Sequence, residues 1–153
     1  MTSDADQMFS PADVTTVVPV SGPAEVVVRN RRAQPFYGRH PWVFAGAVDR
    51  ITGAPSDGLK PGAAVRLVNS DGRFIAWGLY NPISRIVVRL YSWRSEQVLD
   101  AAFWQERVQQ AVASRRAIFD LNSANTGCRL IFSESDGLPG LTVDLYGDRK
   151  SVV

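Results

Sequence analysis

A small β-barrel followed by an α+β unit is the fold class that this 153-residue sequence predicts. Three observations carry it. Between Ala24 and Trp93, short apolar runs alternate with turn signals roughly every ten residues, the rhythm of a small closed or half-closed barrel. After Leu99 the apolar period lengthens to three and four, as on a helix with one covered face. From Arg129 the strand pattern returns.

The elements follow in order. Met1 to Pro23 is acidic, weakly patterned and rich in Ser, Thr, Asp and Pro, so it is expected to be a mobile tail. Its Val17–Val20 patch suits only an edge strand, because Pro19 cannot donate to a ladder. Glu25–Arg29 reads as a short strand. Pro61-Gly62 turns the chain into a strand at Ala63–Val68, and Asn69-Ser70-Asp71-Gly72 turns it again into Arg73–Tyr80. Asn81-Pro82 ends that strand, and Arg85–Tyr91 forms the next. Pro41 and Trp42 read as a turn whose indole fills the barrel end. Trp77 faces the core in the preferred reading, and Trp93 and Trp104 are expected to pack the two units together.

Asp100 caps a helix predicted from Ala101 to about Asp120, with Trp104, Val108, Ala111, Val112 and Phe119 on its apolar face. Asn122 to Gly127 reads as a polar turn. Strands are expected at Arg129–Ser133, Leu141–Tyr146 and Lys150–Val153. Asp136-Gly137 and Pro139-Gly140 form a tight turn, since glycine supplies positive φ and proline fixes its own. The chain stops inside a strand, so a piece of a longer protein is expected.

Charge is partitioned along the chain. Val26 to Arg94 holds eleven Arg and Lys against three acids, while the whole chain carries a net charge of only +2. Fifteen of the 17 basic residues are arginine, which forks onto phosphate oxygens and stacks on bases. The single cysteine, Cys128, excludes a disulfide framework and a cysteine-rich zinc site. It lacks a basic partner placed to lower its pKa and reads as a small residue at a strand start. The only histidine, His40, has no histidine partner for a triad or metal site. No apolar run reaches the roughly 20 residues needed to span a bilayer, and no signal peptide is evident. Cytoplasm is the default expectation.

Two motifs carry a family resemblance. The first is Arg39-His40-Pro41-Trp42-Val43-Phe44-Ala45-Gly46, followed by Asp71-Gly72-Arg73-Phe74 and Gly78-x-Tyr80-Asn81-Pro82-x-Ser84-x-Ile86-x-x-Arg89. It resembles the amino-terminal PUA domain of the S-adenosylmethionine-dependent large-subunit rRNA cytosine-C5 methyltransferases. The second, Phe103-x-x-x-Arg107 with Glu134-Ser135-Asp136-Gly137-Leu138-Pro139-Gly140-Leu141, resembles that family's central strand-strand-helix-strand-strand domain. Leu145 stands where the family commonly has a base, and Ser133 where it commonly has glycine.

The resemblance implies three segments: a tail over residues 1–23, a PUA-like RNA-binding barrel over 24–94, and a truncated α+β connector over 95–153. Nothing here resembles the family's Rossmann domain, its glycine-rich cofactor loop or its catalytic cysteine segment. Structured rRNA is the expected partner, with no membrane. S-adenosylmethionine belongs to the full-length parent and not to this chain, for which no catalytic, cofactor-binding or metal-binding residue is expected.

The expected RNA contacts are Arg29, Arg31, Arg32 and Arg39, which flank the first strand and the His-Pro-Trp segment, with Arg85 and Arg89 further along. Arg85 and Arg89 share a strand face with Val87; they either extend the patch or form an ordinary exposed face. Two other readings stand beside this one: a protein-interaction or homodimerisation module, and a complete small enzyme that binds its own methyl donor.

Overall fold

The computed structural model describes residues 22–55, 58–121, 127–147 and 149–153. Nearly all of the expected acidic tail, including Val17–Val20, lies outside them, as do residues 122–126 of the expected polar turn.

Six strands form one sheet: β1 (Ala24–Val28), β2 (Trp42–Phe44), β3 (Val48–Thr52), β4 (Ala64–Val68), β5 (Phe74–Tyr80) and β6 (Ile86–Ser92). Their spatial order is β2-β6-β5-β4-β1-β3, antiparallel throughout except for β1 beside β4. That order dictates curvature. β2 and β3 occupy opposite edges, yet only the 3-10 turn Ala45–Ala47 separates them. Four Cα steps reach about 15 Å at most. Five strand spacings in a flat sheet would put the edges about 24 Å apart. The sheet therefore rolls until its edges approach, and the 3-10 turn bridges the seam. Backbone bonds tie the turn to both sides: Ala45 N–H donates to Arg85 O at 3.4 Å, and Arg29 N–H to Ala47 O at 2.8 Å. The result is the expected half-closed barrel.

Alternation fills it. Val26, Val28, Val65, Leu67, Val88 and Leu90 point inward and are essentially fully buried, and Val43, Phe36 and Ile75 complete the cluster. Gly78 is required by close approach. A Cβ there would meet Arg89 O and Val88 Cγ1 of β6, each at 2.5 Å. The β4–β5 turn is held by the Asn69 side chain, whose oxygen accepts from Asp71 N–H at 3.0 Å and Arg73 N–H at 2.8 Å. Gly72 takes the positive φ of 77° that this turn needs.

The second unit packs helix α2 (Ala101–Arg116) on a three-stranded antiparallel sheet of β7 (Gly127–Phe132), β8 (Thr142–Tyr146) and β9 (Arg149–Val152). Asp100 caps α2 by accepting from Phe103 N–H at 2.9 Å. Ala111 meets Leu130, Ile131, Leu138, Val143 and Leu145 in a second apolar cluster, flanked by Trp104 and Val108. The 3-10 turn Ser133–Asp136 joins β7 to β8. Its Asp136 accepts from both terminal guanidinium nitrogens of Arg115, at 2.8 and 2.6 Å, and from the Phe132 N–H at 2.6 Å. Gly137 and Gly140 carry positive φ, as the turn reading requires. Ser133 also sits at φ 46°, a region that favours glycine, and its hydroxyl accepts the Gly140 N–H at 2.9 Å.

Several expectations need correction. The helix stops at Arg116, short of Asp120, because Ile118 (74 % exposed) and Phe119 (46 % exposed) have little apolar cover to hold another turn. Trp42 does not close a turn at the barrel end; it begins β2, and its indole reaches the second unit. Trp77 is half-buried on the face away from Ile75 and Ala76 and donates to Ser95 O at 3.1 Å, so the barrel core does not hold it. β2, β3 and the single-turn helix α1 (Gln34–Tyr37) were not expected at all.

Candidate nucleic-acid interface

Arginine pairing separates two populations. Arg50, Arg66, Arg94, Arg115 and Arg129 each form an ion pair, with Asp49, Glu25, Glu96, Asp136 and Asp144. None of the six arginines named from the sequence is paired with an acid among the described residues. An arginine already neutralised by a carboxylate offers a phosphate little; an unpaired, solvated one offers its full charge.

The six do not make one surface. Arg29 and Arg31 line a groove of about 360 Å³ with Gln34, Tyr37 and the Asn69–Asp71 turn. Arg29 is fixed by its Nε donating to Val48 O at 3.0 Å, and its terminal nitrogens have no partner among the described residues. Arg31 holds a left-handed backbone, φ 66°, in the turn after β1, and Tyr37 opposite is 49 % exposed. Arg32, also exposed, follows directly. Unpaired guanidinium groups beside an exposed aromatic ring suit a nucleotide strand, whose phosphates and bases need charge and a stacking face respectively.

Arg39 turns the other way, at φ 63°, just past α1. It lines a second cleft, about 420 Å³, between the barrel and the α+β unit. Trp93 fixes this end of the barrel by donating its indole N–H to Phe36 O at 2.7 Å. Arg94 and Arg107 also edge the cleft, with Tyr91, Glu134 and Pro139. Arg107 lies with its guanidinium carbon 5.2 Å from the Phe103 ring centre, as the i, i+4 spacing of the second motif allows.

Three contacts hold the cleft's walls together. Tyr91 donates its hydroxyl to Pro139 O at 2.8 Å. Trp42 donates its indole N–H to Glu134 Oε1 at 2.7 Å. The Tyr91 and Trp104 rings meet edge to face, 4.9 Å between centres. Burial pushes the Tyr91 hydroxyl up to about 12; the Arg89 charge works against that and the Glu134 charge with it. At Glu134 burial opposes ionisation, but bonds from Ser133, its own backbone and Trp42, with the charge of Arg89, hold its carboxyl below the usual glutamate value.

Arg89 belongs to this junction. Its side chain lies over Gly140, where a Cβ would meet Nε at 3.2 Å. Arg85 is exposed at the opposite end of β6, beside the seam. Sequence reasoning therefore named four arginines around α1 whose two clefts it could not separate, and it left Arg94 and Arg107 off the list. Arg107 had a legible signal, its place in the second motif; the cleft it edges needed tertiary contacts to appear.

What this rolled sheet defines is a PUA-like domain: residues 26–93 match that domain family. Most of the chain shares its fold with solved structures. One, described as a SAM-dependent methyltransferase from Streptococcus mutans, superposes with a TM-score of 0.65 at 16 % identity, covering 84 % of this chain and 32 % of that one. Another, described as a methyltransferase complexed with SAH, gives 0.64 at 18 % identity, covering 84 % and 31 %.

By sequence, the chain is 37 % identical over 130 residues to ribosomal RNA large subunit methyltransferase I of Alteromonas mediterranea, covering 85 % of this chain and 31 % of that protein. It is 37 % identical over 121 residues to the protein of the same name from Yersinia pseudotuberculosis, covering 79 % and 29 %. The chain thus spans about a third of the length of the curated relatives it matches. No helix among the described residues is long and apolar enough to cross a membrane.

Proposed function

We propose that this chain is the RNA-gripping portion of a cytoplasmic, S-adenosylmethionine-dependent large-subunit rRNA methyltransferase acting at cytosine C5. Residues 24–94 form the RNA-binding module and residues 95–153 the connector. The methyl donor and the nucleophile are assigned to the remainder of such a protein, and the present segment contributes binding alone. One observation supports the reading: the six arginines of a PUA-like barrel and its junction form no salt bridge among the described residues, whereas Arg50, Arg66 and Arg94 of the same stretch do. The relatives named above supply the substrate class.

An RNA titration with Arg31→Glu/Arg32→Glu tests it. Both side chains are exposed, so the fold should survive. Affinity for a large-subunit rRNA fragment should fall at least tenfold, in line with removing two phosphate contacts and adding repulsion. Unchanged binding removes the patch from the reading.

One observation favours a second reading, a protein contact on the small sheet. Phe132 (50 % exposed) and Tyr146 (61 % exposed) share the sheet face opposite α2. Sedimentation with and without RNA separates the two: self-association indifferent to RNA supports a homodimer module.

A further inference from the structure

The cleft between the barrel and the α+β unit is lined by three arginines and one acid. Arg39 comes from the barrel, and Arg107 from α2. Neither is paired with an acid among the described residues. The third cation, Arg94, pairs among the described residues with Glu96, in a pair whose side chains are 73 % and 65 % exposed and which water screens strongly. The one acid on the wall, Glu134, accepts the Trp42 indole N–H at 2.7 Å and keeps its negative charge, so the three arginines outnumber it. Arg107 is also held in place: it stacks on Phe103 and lies over Gly137, where the missing side chain leaves room for its guanidinium. A Cβ at Gly137 would meet Arg107 Nη1 at 2.8 Å. A pinned Arg107 from one unit and an exposed Arg39 from the other, facing one cleft and forming no salt bridge among the described residues, suit a ligand that is itself anionic and reaches both walls.

Resting on the RNA-binding reading above, we propose that this cleft seats a backbone phosphate of the bound RNA. Arg39 grips it from the barrel and Arg107 from the helix, so that the strand crosses the junction and locks the two units in one orientation. A phosphodiester suits arginine because two N–H groups can fork onto its oxygens. The Arg29–Arg31 groove on the other side of α1 then holds a separate stretch of the same RNA.

The test measures binding of one structured rRNA fragment at several salt concentrations. The chains compared are the wild type, Arg39→Gln/Arg107→Gln, Arg39→Gln alone, and Arg31→Glu/Arg32→Glu. The double glutamine variant should bind about tenfold more weakly, with a salt slope shallower by about 1, the signature of one lost phosphate contact. Arg39→Gln alone, at an exposed position that leaves the fold untouched, should show a smaller loss in the same direction. Wild-type affinity and slope in both glutamine variants, with binding lost in Arg31→Glu/Arg32→Glu, overturns the phosphate seat and leaves the RNA reading standing. Absence of RNA binding by the wild type removes that reading and the seat with it. A further arm titrates adenosine 5′-monophosphate: tight binding that does not compete with RNA would make the cleft a small-nucleotide site and overturn the proposal.

Discussion

Trp42 and Glu134, 92 residues apart in the chain, are joined by an indole N–H donated to a carboxylate oxygen at 2.7 Å. This bond spans the junction, and it is charge-assisted only while Glu134 is ionised. The Glu134 pKa lies below its ordinary value in the folded chain. Its contribution is therefore fully present above the ordinary glutamate range and is lost as pH falls through the depressed folded value. Following the Trp42 indole N–H resonance with pH should show a shift only at acid pH, and Glu134→Gln should abolish that titration. A resonance that titrates identically in Glu134→Gln would contradict the latch.

Tyr91 titrates at the other extreme. Its hydroxyl is buried against Pro139 O and pushed up to about 12, whereas an unfolded tyrosine ionises near 10. Between those values the unfolded chain releases a proton that the folded chain keeps. Stability should then decline as pH rises from about 10 to about 12. Ultraviolet titration should find one tyrosine ionising late, and Tyr91→Phe should remove it. Normal ionisation of every tyrosine would mean that the junction is open to water.

Gly78 lies where β5 and β6 press together. Gly78→Ala should cost about 2–3 kcal/mol, because its Cβ meets backbone and a branched side chain that cannot yield. Urea unfolding measures this directly. A loss under about 0.5 kcal/mol would show that the strands do not approach as described.

Sequence reading succeeds where the constraint is local: the Asn69–Gly72 turn, the Asp100 cap and the Asp136–Gly140 turn each announce themselves by a residue type that only one geometry rewards, whereas the need for Gly78 comes from the neighbouring strand. β4 and β5 were legible because turn residues bound them, and β6 because apolar residues alternate along it. β3 was not: three of its five residues are exposed, so Val-Asp-Arg-Ile-Thr shows no core face. β2, at three residues, and α1, at four, are too short to show a period. The candidate site was half legible. Charge density named the arginines around α1, but their division between two clefts depends on where α1 lies, and the junction bonds depend on contacts across 48 and 92 residues.

Arg31 and Arg39 both hold left-handed backbone, at φ 66° and 63°, where arginine is strained and glycine relaxed. Each edges a different cleft. If strain is tolerated there for the sake of binding, Arg39→Gly should leave stability unchanged or raise it by up to about 1 kcal/mol while weakening RNA affinity. Thermal melts paired with RNA titration check both halves. A glycine variant that loses stability and keeps its affinity would assign Arg39 a structural role instead.

The most direct test of the central claim is the salt dependence of RNA affinity for the unmodified chain. With about four phosphates contacted, tripling the salt should weaken binding to an rRNA fragment roughly 20-fold, and Arg31→Glu/Arg32→Glu should flatten that slope. Affinity that is absent at low salt, or that does not change with salt, would contradict an arginine-borne RNA interface.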